Sequence, residues 1–291
     1  MSSQFVQFLI AGINAGAIYA LIALGFAIIY NASHVINFAQ GEFVMLGGMM
    51  TVFLLALGMP LPIAVLLAIA ATAVAGMVLE KLAIEPARGA SVVTLIIITI
   101  GASILLRGLV QVAMGRNFHR VPPFTGDDPI PVLGAALLPQ NLWVCGVTVL
   151  AVLALRWFFT RTMWGKAILA TSHNRLAAEL VGINVRLVML VSFGLSGALG
   201  ALAGVLIAPI TLTHANVGIM LGLKGFCAAI LGGLGNFPGA VAGGLVLGLA
   251  EAMAAGYLSS QYKDAVAFVL ILAVLFFLPG GLMGRGSTER V

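Results

Sequence analysis

The sequence predicts an all-α polytopic membrane protein with about 8–9 transmembrane helices, some of them broken or re-entrant. Three observations carry that prediction. Hydrophobic residues fill 62% of the 291 positions and charged residues only 8%, with a mean hydropathy of +1.16. A soluble domain carries about 25% charged residues, so its water-facing surface could not be built from this set. The apolar runs repeatedly reach the ~20 residues that a helix needs to cross hydrocarbon. Glycine, at 36 residues, is abundant, as suits helices that pack backbone to backbone in lipid, where no hydrophobic force drives them together.

In chain order, the predicted spans cover roughly 5–29, 41–58, 61–80, 92–114, 140–159 and 187–208. A broken pair follows at about 223–234 and 238–256, and a last helix near 264–279. The first apolar stretch runs on too far and lacks a basic front end, so it reads as a span and not as a cleavable signal peptide. Between 115 and 139 lie Pro122, Pro123, Pro129, Pro131 and Pro139 with Asp127 and Asp128, the composition of an ordered, non-helical loop.

Orientation follows from the basic residues. Of fourteen Lys and Arg, five fall between Arg156 and Arg186, namely Arg156, Arg161, Lys166, Arg175 and Arg186. That stretch is expected to face the cytoplasm together with Lys81, Arg88 and the tail residues Arg285 and Arg290, which leaves the 115–139 loop outside. Arg107, Arg116 and Arg120 on the outer side weaken this bias without reversing it. Trp143 and Trp157, about 21 Å apart along one helix at 1.5 Å per residue, suit the two interfaces of the 140–159 span. The net charge of +5 then belongs to cytoplasmic loops and implies no nucleic-acid partner.

The basic loop contains GKAILATSHNRLAAELVGINVR, Gly165 to Arg186. Asn174 is a helix cap, and Arg175 to Val181 can form a short amphipathic helix ending at Gly182. Such a helix either docks a soluble partner or lies as a solvated interfacial segment, and the pattern alone fits both. Two other segments, INFAQGEFVMLGG (Ile36–Gly48) and GNFPGAVAGG (Gly235–Gly244), each set Asn-Phe before a small residue and then open a helix with paired glycines. Helix breaks at membrane depth must be buried in protein or line a watery cavity, and in transporters they mark the substrate region. A tight turn at the membrane surface is the competing reading, favoured for Asn236–Pro238, whereas Asn37–Glu42 reads better as pathway.

Polar residues within apolar spans are Asn14, Glu42, Thr99, Ser103, Arg107, Lys224 and Glu251. A central charge costs about 2.5–3.5 kcal/mol on insertion scales, so these side chains are expected to face the bundle interior. Glu251 continues the stripe Ala240, Gly244, Gly248 and reads with Lys224 as a structural ion pair. Substrate-pathway candidates are Asn14, Asn37, Glu42, Thr99, Ser103, Asn236 and Gly239. No phosphate-binding loop, zinc-protease motif or nucleophile elbow occurs in the sequence, Cys145 and Cys227 lie far apart, and His34, His119, His173 and His214 are scattered. No cofactor, metal site or catalytic group is therefore expected, and any energy source must lie in another protein.

The chain resembles the H-type permease subunit of the high-affinity branched-chain amino acid ABC importers along nearly its whole length. The resemblance rests on GINAGAIYALIALGFAIIY (Gly12–Tyr30), VINFAQGEF (Val35–Phe43), ELVGINVR (Glu179–Arg186), LKGFCAAILGGLGNFPGAVAGGLVLGLAEA (Leu223–Ala252), YLSSQYKDAV (Tyr257–Val266) and LPGGLMGR (Leu278–Arg285). The family usually shows His where this chain has Gln40. The resemblance implies an ABC importer permease fold and a single transmembrane permease domain over 1–291, with a cytoplasmic coupling loop at about 160–186. It also implies a prokaryotic inner-membrane location and three kinds of partner besides lipid and substrate: a second permease subunit, two cytoplasmic ATPase subunits and an external binding protein. Gly165, Asn174, Glu179, Gly182 and Ile183 would couple the loop to the ATPases. The expected cargo is leucine, isoleucine or valine, with urea or short amides on the same machine as the alternative; a channel or secondary transporter acting alone is the rival from another class.

Overall fold

The structure, a computed structural model, describes residues 3–278 and 280–284; Arg285 and Arg290, expected in the cytoplasmic tail, lie outside the described residues. All the predicted spans form helices. The bundle consists of α1 (Ser3–Ser33), α2 (Gln40–Ala56), α3 (Leu61–Leu79), α4 (Val92–Met114), α5 (Pro139–Arg161), α8 (Val185–Thr211), α9 (Val217–Gly232), α10 (Phe237–Tyr257) and α11 (Lys263–Phe277). Two shorter helices, α6 (Met163–His173) and α7 (Arg175–Leu180), fill the basic loop. A π-helical turn, Glu80–Ile84, prolongs α3, and a two-stranded hairpin, Ile130–Val132 with Ala135–Leu137, folds within the proline-rich loop.

Length sorts these helices into two groups. Among the described residues, seven segments are long and apolar enough to cross a membrane. The other two, α2 with 17 residues and α9 with 16, span about 24–26 Å at 1.5 Å per residue, short of the ~30 Å hydrocarbon layer. Helix α2 follows the Asn37 break and α9 precedes the Asn236 break, whose own segment, Gly235–Gly244, opens the longer α10. Burial sorts the helices again: the most apolar window of α1 is 83% buried and that of α8 67%, against 17% for α4 and α5 and 6% for α11. Helices α1 and α8 therefore form the centre, and α4, α5 and α11 present apolar flanks, including Ile97, Leu105, Leu150 and Phe276.

Small residues let the central helices touch. A Cβ on Gly248 of α10 would stand 2.3 Å from Gly16 N of α1, and one on Gly244 would stand 2.5 Å from Ala20 N. No side chain fits between those backbones, so dispersion contacts hold the pair where lipid offers no hydrophobic drive. The opposite ends of α1 identify the two sides of the bundle. Near its start, Gln7 takes the Ala136 N–H on Oε1 (2.9 Å) and donates Nε2 to Ala136 O (3.3 Å), holding α1 to the hairpin. Near its end, Asn31 donates Nδ2 to Gly235 O at 2.8 Å, so the α9–α10 turn lies on the opposite side.

After α1 the chain turns at His34, which has φ of +55°, and comes back on itself. The Gln40 side chain packs directly on Gly25, eight residues or about 12 Å before the end of α1. Helix α2 thus starts at an intermediate depth. Ser196 of α8 locks that start: its Oγ lies 2.5 Å from Gln40 Oε1 and 2.9 Å from Gly25 O, while Gln40 Nε2 donates to Ser196 O at 3.2 Å. Gln40 is fully buried, and this shared network satisfies it at a depth where an unpaired amide would be costly.

Candidate functional site

The turn before α2 builds a polar cluster on α4. Asn37 Oδ1 accepts the Ala39 N–H (3.1 Å), and the Phe38 N–H is donated to Thr99 Oγ1 (3.2 Å), whose own hydroxyl proton goes to Ile96 O (2.8 Å). One turn into α2, Glu42 Oε1 receives Ser103 Oγ (2.8 Å), Arg107 Nη2 (2.7 Å) and Arg107 Nε (3.1 Å). Arg107 Nη2 also donates to Ser103 Oγ at 3.2 Å. Four of the pathway candidates, Asn37, Glu42, Thr99 and Ser103, therefore meet in one place. Thr99, Ser103 and Arg107 stand four residues apart in succession, one face of a helix, and that spacing was the available signal that Arg107 belonged with them.

Two atoms of this cluster have no partner among the described residues. Glu42 Oε2 and Asn37 Nδ2 are buried without a hydrogen bond, and the two residues are 2% and 1% exposed. A cavity of about 160 Å³ adjoins the cluster through Ser103 and Arg107, with Phe26, Phe38 and Phe226 on another side; Glu42 and Asn37 do not line it. Phe226 holds the other two rings at centroid distances of 5.6 and 5.5 Å. Gly41 also lines the cavity with Gly218 and Gly222 of α9. A Cβ on Gly41 would sit 2.2 Å from Gly218 O, and the converse distance is the same, so the two short helices meet through bare backbone at the cavity wall. The cavity wall offers an aromatic enclosure, the Arg107 guanidinium and the Ser103 hydroxyl, with the Glu42 carboxylate bonded behind them. Together they can hold a small molecule that is apolar at one end and charged at the other.

The remaining pathway candidates lie elsewhere. Asn14 stands on α1 between Gly12 and Gly16, with its Oδ1 buried and unpartnered. Asn236 and Gly239 form the α9–α10 turn: Asn236 Oδ1 caps α10 by accepting the Gly239 N–H (2.9 Å), and its Nδ2 donates to Met283 O (2.7 Å). A Cβ on Gly239 would meet Gly232 O. Asn236 also borders a cavity of about 760 Å³ next to Ser172 and His173 of α6. The structure thus separates this Asn-Phe break from the one at Asn37 and sets it beside the basic loop.

In that loop Asn174 caps α7 through Oδ1, which accepts the Ala177 N–H at 3.0 Å, and Gly182 closes the helix at φ of +88°, a conformation that favours glycine. The Glu179 side chain is 47% exposed and lies 3.4 Å from Arg175 Nε. Ile183 N–H is donated to Ala178 O at 3.0 Å. The helix α6 was not anticipated. Thr162 starts it by accepting the Gly165 N–H at 3.1 Å, and Gly165 presses on the Phe158 and Phe159 backbone, which lets α6 fold tightly back from α5. A recess of about 640 Å³ runs between Arg88, Arg175, Glu179 and Arg186. Nearby, the Lys81 ammonium at 2.6 Å holds the Glu85 carboxyl below the usual carboxylate range.

A second buried charge cluster ties α1, α9, α10 and α11 together. Lys224 Nζ lies 2.5 Å from Glu251 Oε1 and 2.6 Å from Asp264 Oδ1, and Tyr19 donates its hydroxyl to Glu251 Oε2 at 2.7 Å. The anticipated Lys224–Glu251 pair is present; Tyr19 and Asp264 complete it and were not foreseen. Among the described residues no group of three or more His, Cys, Asp and Glu could hold a metal ion.

Comparison with known proteins agrees with this architecture. The family described as "Branched-chain amino acid transport system / permease component" matches residues 8–275. The high-affinity branched-chain amino acid transport system permease protein LivH of Escherichia coli K12 is 35% identical over 100% of both chains. The corresponding protein BraD of Pseudomonas aeruginosa is 34% identical over 99% of this chain and 98% of its own length. The autoinducer 2 import system permease protein LsrC of Escherichia coli is 27% identical over 62% of this chain and 54% of its own. Among solved structures, PsaBC from Streptococcus pneumoniae in complex with Fab aligns over 96% of this chain and 91% of that chain, at 17% identity and a TM-score of 0.45. With its matched span covering nearly all the helices and its full-length identity to LivH, this multi-pass membrane protein belongs to the permease component family of the branched-chain amino acid transport systems.

Proposed function

We propose that this chain is the permease subunit of an ATP-driven importer for leucine, isoleucine and valine, working in a prokaryotic inner membrane. The observation that carries the reading is the 35% identity to LivH over the full length of both chains. Its partners are a second permease subunit, two cytoplasmic ATPase subunits and an external binding protein. The hairpin side, with residues 115–139, faces outward, and the basic loop about 160–186 faces the cytoplasm, in keeping with its arginines. In that loop α7 is the coupling helix: Asn174 starts it, Gly182 ends it, Gly165 and Ile183 hold it against the bundle, and Glu179 projects toward an ATPase. Asn37, Glu42, Thr99 and Ser103 border the pathway, with Asn14 farther out and the Asn236–Gly239 turn near its cytoplasmic mouth.

Mechanistically, the aromatic-walled cavity next to Ser103 and Arg107 gives an aliphatic side chain a dry surface, and the short helices α2 and α9 begin at that cavity wall, where their backbone groups can face a polar solute. ATP binding and hydrolysis in the partners would move α7 and switch access between the two sides. Glu179→Ala removes only an exposed ion pair, worth about 0.5 kcal/mol or less, so the complex is expected to assemble while ATP hydrolysis no longer drives uptake. Unchanged uptake in that variant would refute the coupling role. Cargo is tested by competition: leucine uptake displaced by isoleucine and valine but not by urea supports the reading, and displacement by urea or acetamide refutes the assigned substrate.

A further inference from the structure

Glu42 and Arg107 form an ion pair that is only half closed. All four hydrogen bonds between Glu42, Ser103 and Arg107 involve Glu42 Oε1, Ser103 Oγ and the Nε and Nη2 atoms of arginine. Glu42 Oε2 has no partner, although the side chain is only 2% exposed, and Arg107, at 23%, reaches the cavity. A purely structural pair of this kind would use both carboxylate oxygens, since a buried unpaired oxygen costs about 1–3 kcal/mol. Ser103 and Arg107 border a space whose other walls include Phe26, Phe38, Phe226 and Ile100, and Glu42 lies directly behind them, 2.8 Å from Ser103 Oγ and 2.7 Å from Arg107 Nη2.

We propose that Glu42 and Arg107 are the charge partners of a zwitterionic α-amino acid: on entry its carboxylate takes the Arg107 guanidinium and its ammonium takes Glu42, so that one ion pair opens into two. This rests on the reading of the chain as an amino-acid permease and adds its recognition chemistry. The exchange suits a low-dielectric site. Pulling a buried pair apart ordinarily leaves two uncompensated charges, but a zwitterion supplies one opposite charge to each, and net charge in the site stays at zero. A molecule with only one of the two charges, or with neither, leaves one partner stranded. Ser103 keeps a hydrogen bond to either state, and the aliphatic side chain occupies the aromatic end of the cavity.

The test uses the intact importer reconstituted with its binding protein. Glu42→Gln with Arg107→Gln in one chain replaces both charges by neutral amides and leaves no buried charge unpaired. The double variant is expected to elute as the assembled complex yet to carry leucine about 10- to 100-fold more slowly, the loss of one charge-assisted contact or more. Uptake within about twofold of the unaltered protein would show the pair to be structural and overturn the proposal. A second measurement does not depend on that variant. With Cys145→Ser and Cys227→Ala as background, Ser103→Cys places a thiol on the cavity wall, and a thiosulfonate reagent reports its accessibility without any binding protein. Leucine is expected to slow labelling severalfold, whereas 3-methylbutylamine and 4-methylpentanoate, each with one charge removed, are not. Equal protection by either analogue overturns the two-charge recognition. Absence of leucine uptake by the unaltered complex would instead overturn the amino-acid permease reading itself.

Discussion

Replacing Lys224 by methionine should weaken the bundle more than any surface change, because this one ammonium neutralises two carboxylates on different helices. Lys224 is 7% exposed, Glu251 9% and Asp264 42%. Methionine keeps most of the lysine volume, so packing changes little and the charge effect dominates. Breaking a buried pair by removing one partner costs about 3–5 kcal/mol. The Glu251 side carries most of that cost, since water already screens half-exposed Asp264. For a chain of this size 1 kcal/mol moves Tm by about 2–4 °C, so the shift should be on the order of 10 °C. Adding Glu251→Gln removes the stranded charge while still offering Tyr19 an oxygen, and should recover at least half of the loss. Thermal unfolding of the purified protein in detergent, followed by intrinsic fluorescence, reads both variants. A single-variant shift under about 2 °C, or a double variant no more stable than the single, would refute the account of this cluster.

Three further outcomes follow from the same geometry. Gly248→Val must push α10 away from the Gly16 backbone, which a Cβ would approach to 2.3 Å; the overpacking should cost about 1–3 kcal/mol, read as a lower Tm. Gln40→Leu removes the amide bonded to Ser196, leaving that hydroxyl with Gly25 O, and should cost about 1 kcal/mol, while Gln40→His, which keeps a donor and an acceptor, should lose less in the same melt. Asn174→Ala removes the α7 cap, worth about 1 kcal/mol, and should loosen the loop locally, visible as faster amide exchange over 175–182 with the rest of the chain unchanged.

Much of this architecture was legible because membrane helices write long apolar runs. The 92–114 segment appears as α4 at those very ends, bounded by Ser91, which accepts the Thr94 N–H at 3.2 Å, and by Gly115 at φ of +78°. Local chemistry also revealed the α7 cap, since Asn174 and Gly182 act within a few residues of themselves. What could not be read were partnerships across the fold. Tyr19 and Glu251 are 232 positions apart, and Glu42 and Arg107 are 65 apart; no local pattern joins them. Arg107 was expected to face the bundle interior, as it does; that Glu42 is its partner there was not legible. Helix α6 went unseen because Gly165 near its start reads as a loop residue until its packing on Phe158 and Phe159 is known. The two Asn-Phe breaks look alike in sequence because both asparagines accept a nearby backbone N–H, two residues on at Asn37 and three on at Asn236. Their different depths follow from the helices packed around them.

The central claim is that this chain moves substrate only as part of an ATP-driven assembly. Its most direct test is labelled leucine uptake into proteoliposomes containing the co-purified complex, with binding protein outside and either ATP or a non-hydrolysable analogue inside. Accumulation with ATP and none with the analogue is the predicted result. Equal uptake in both, or uptake by this chain without the ATPase subunits, would contradict the account.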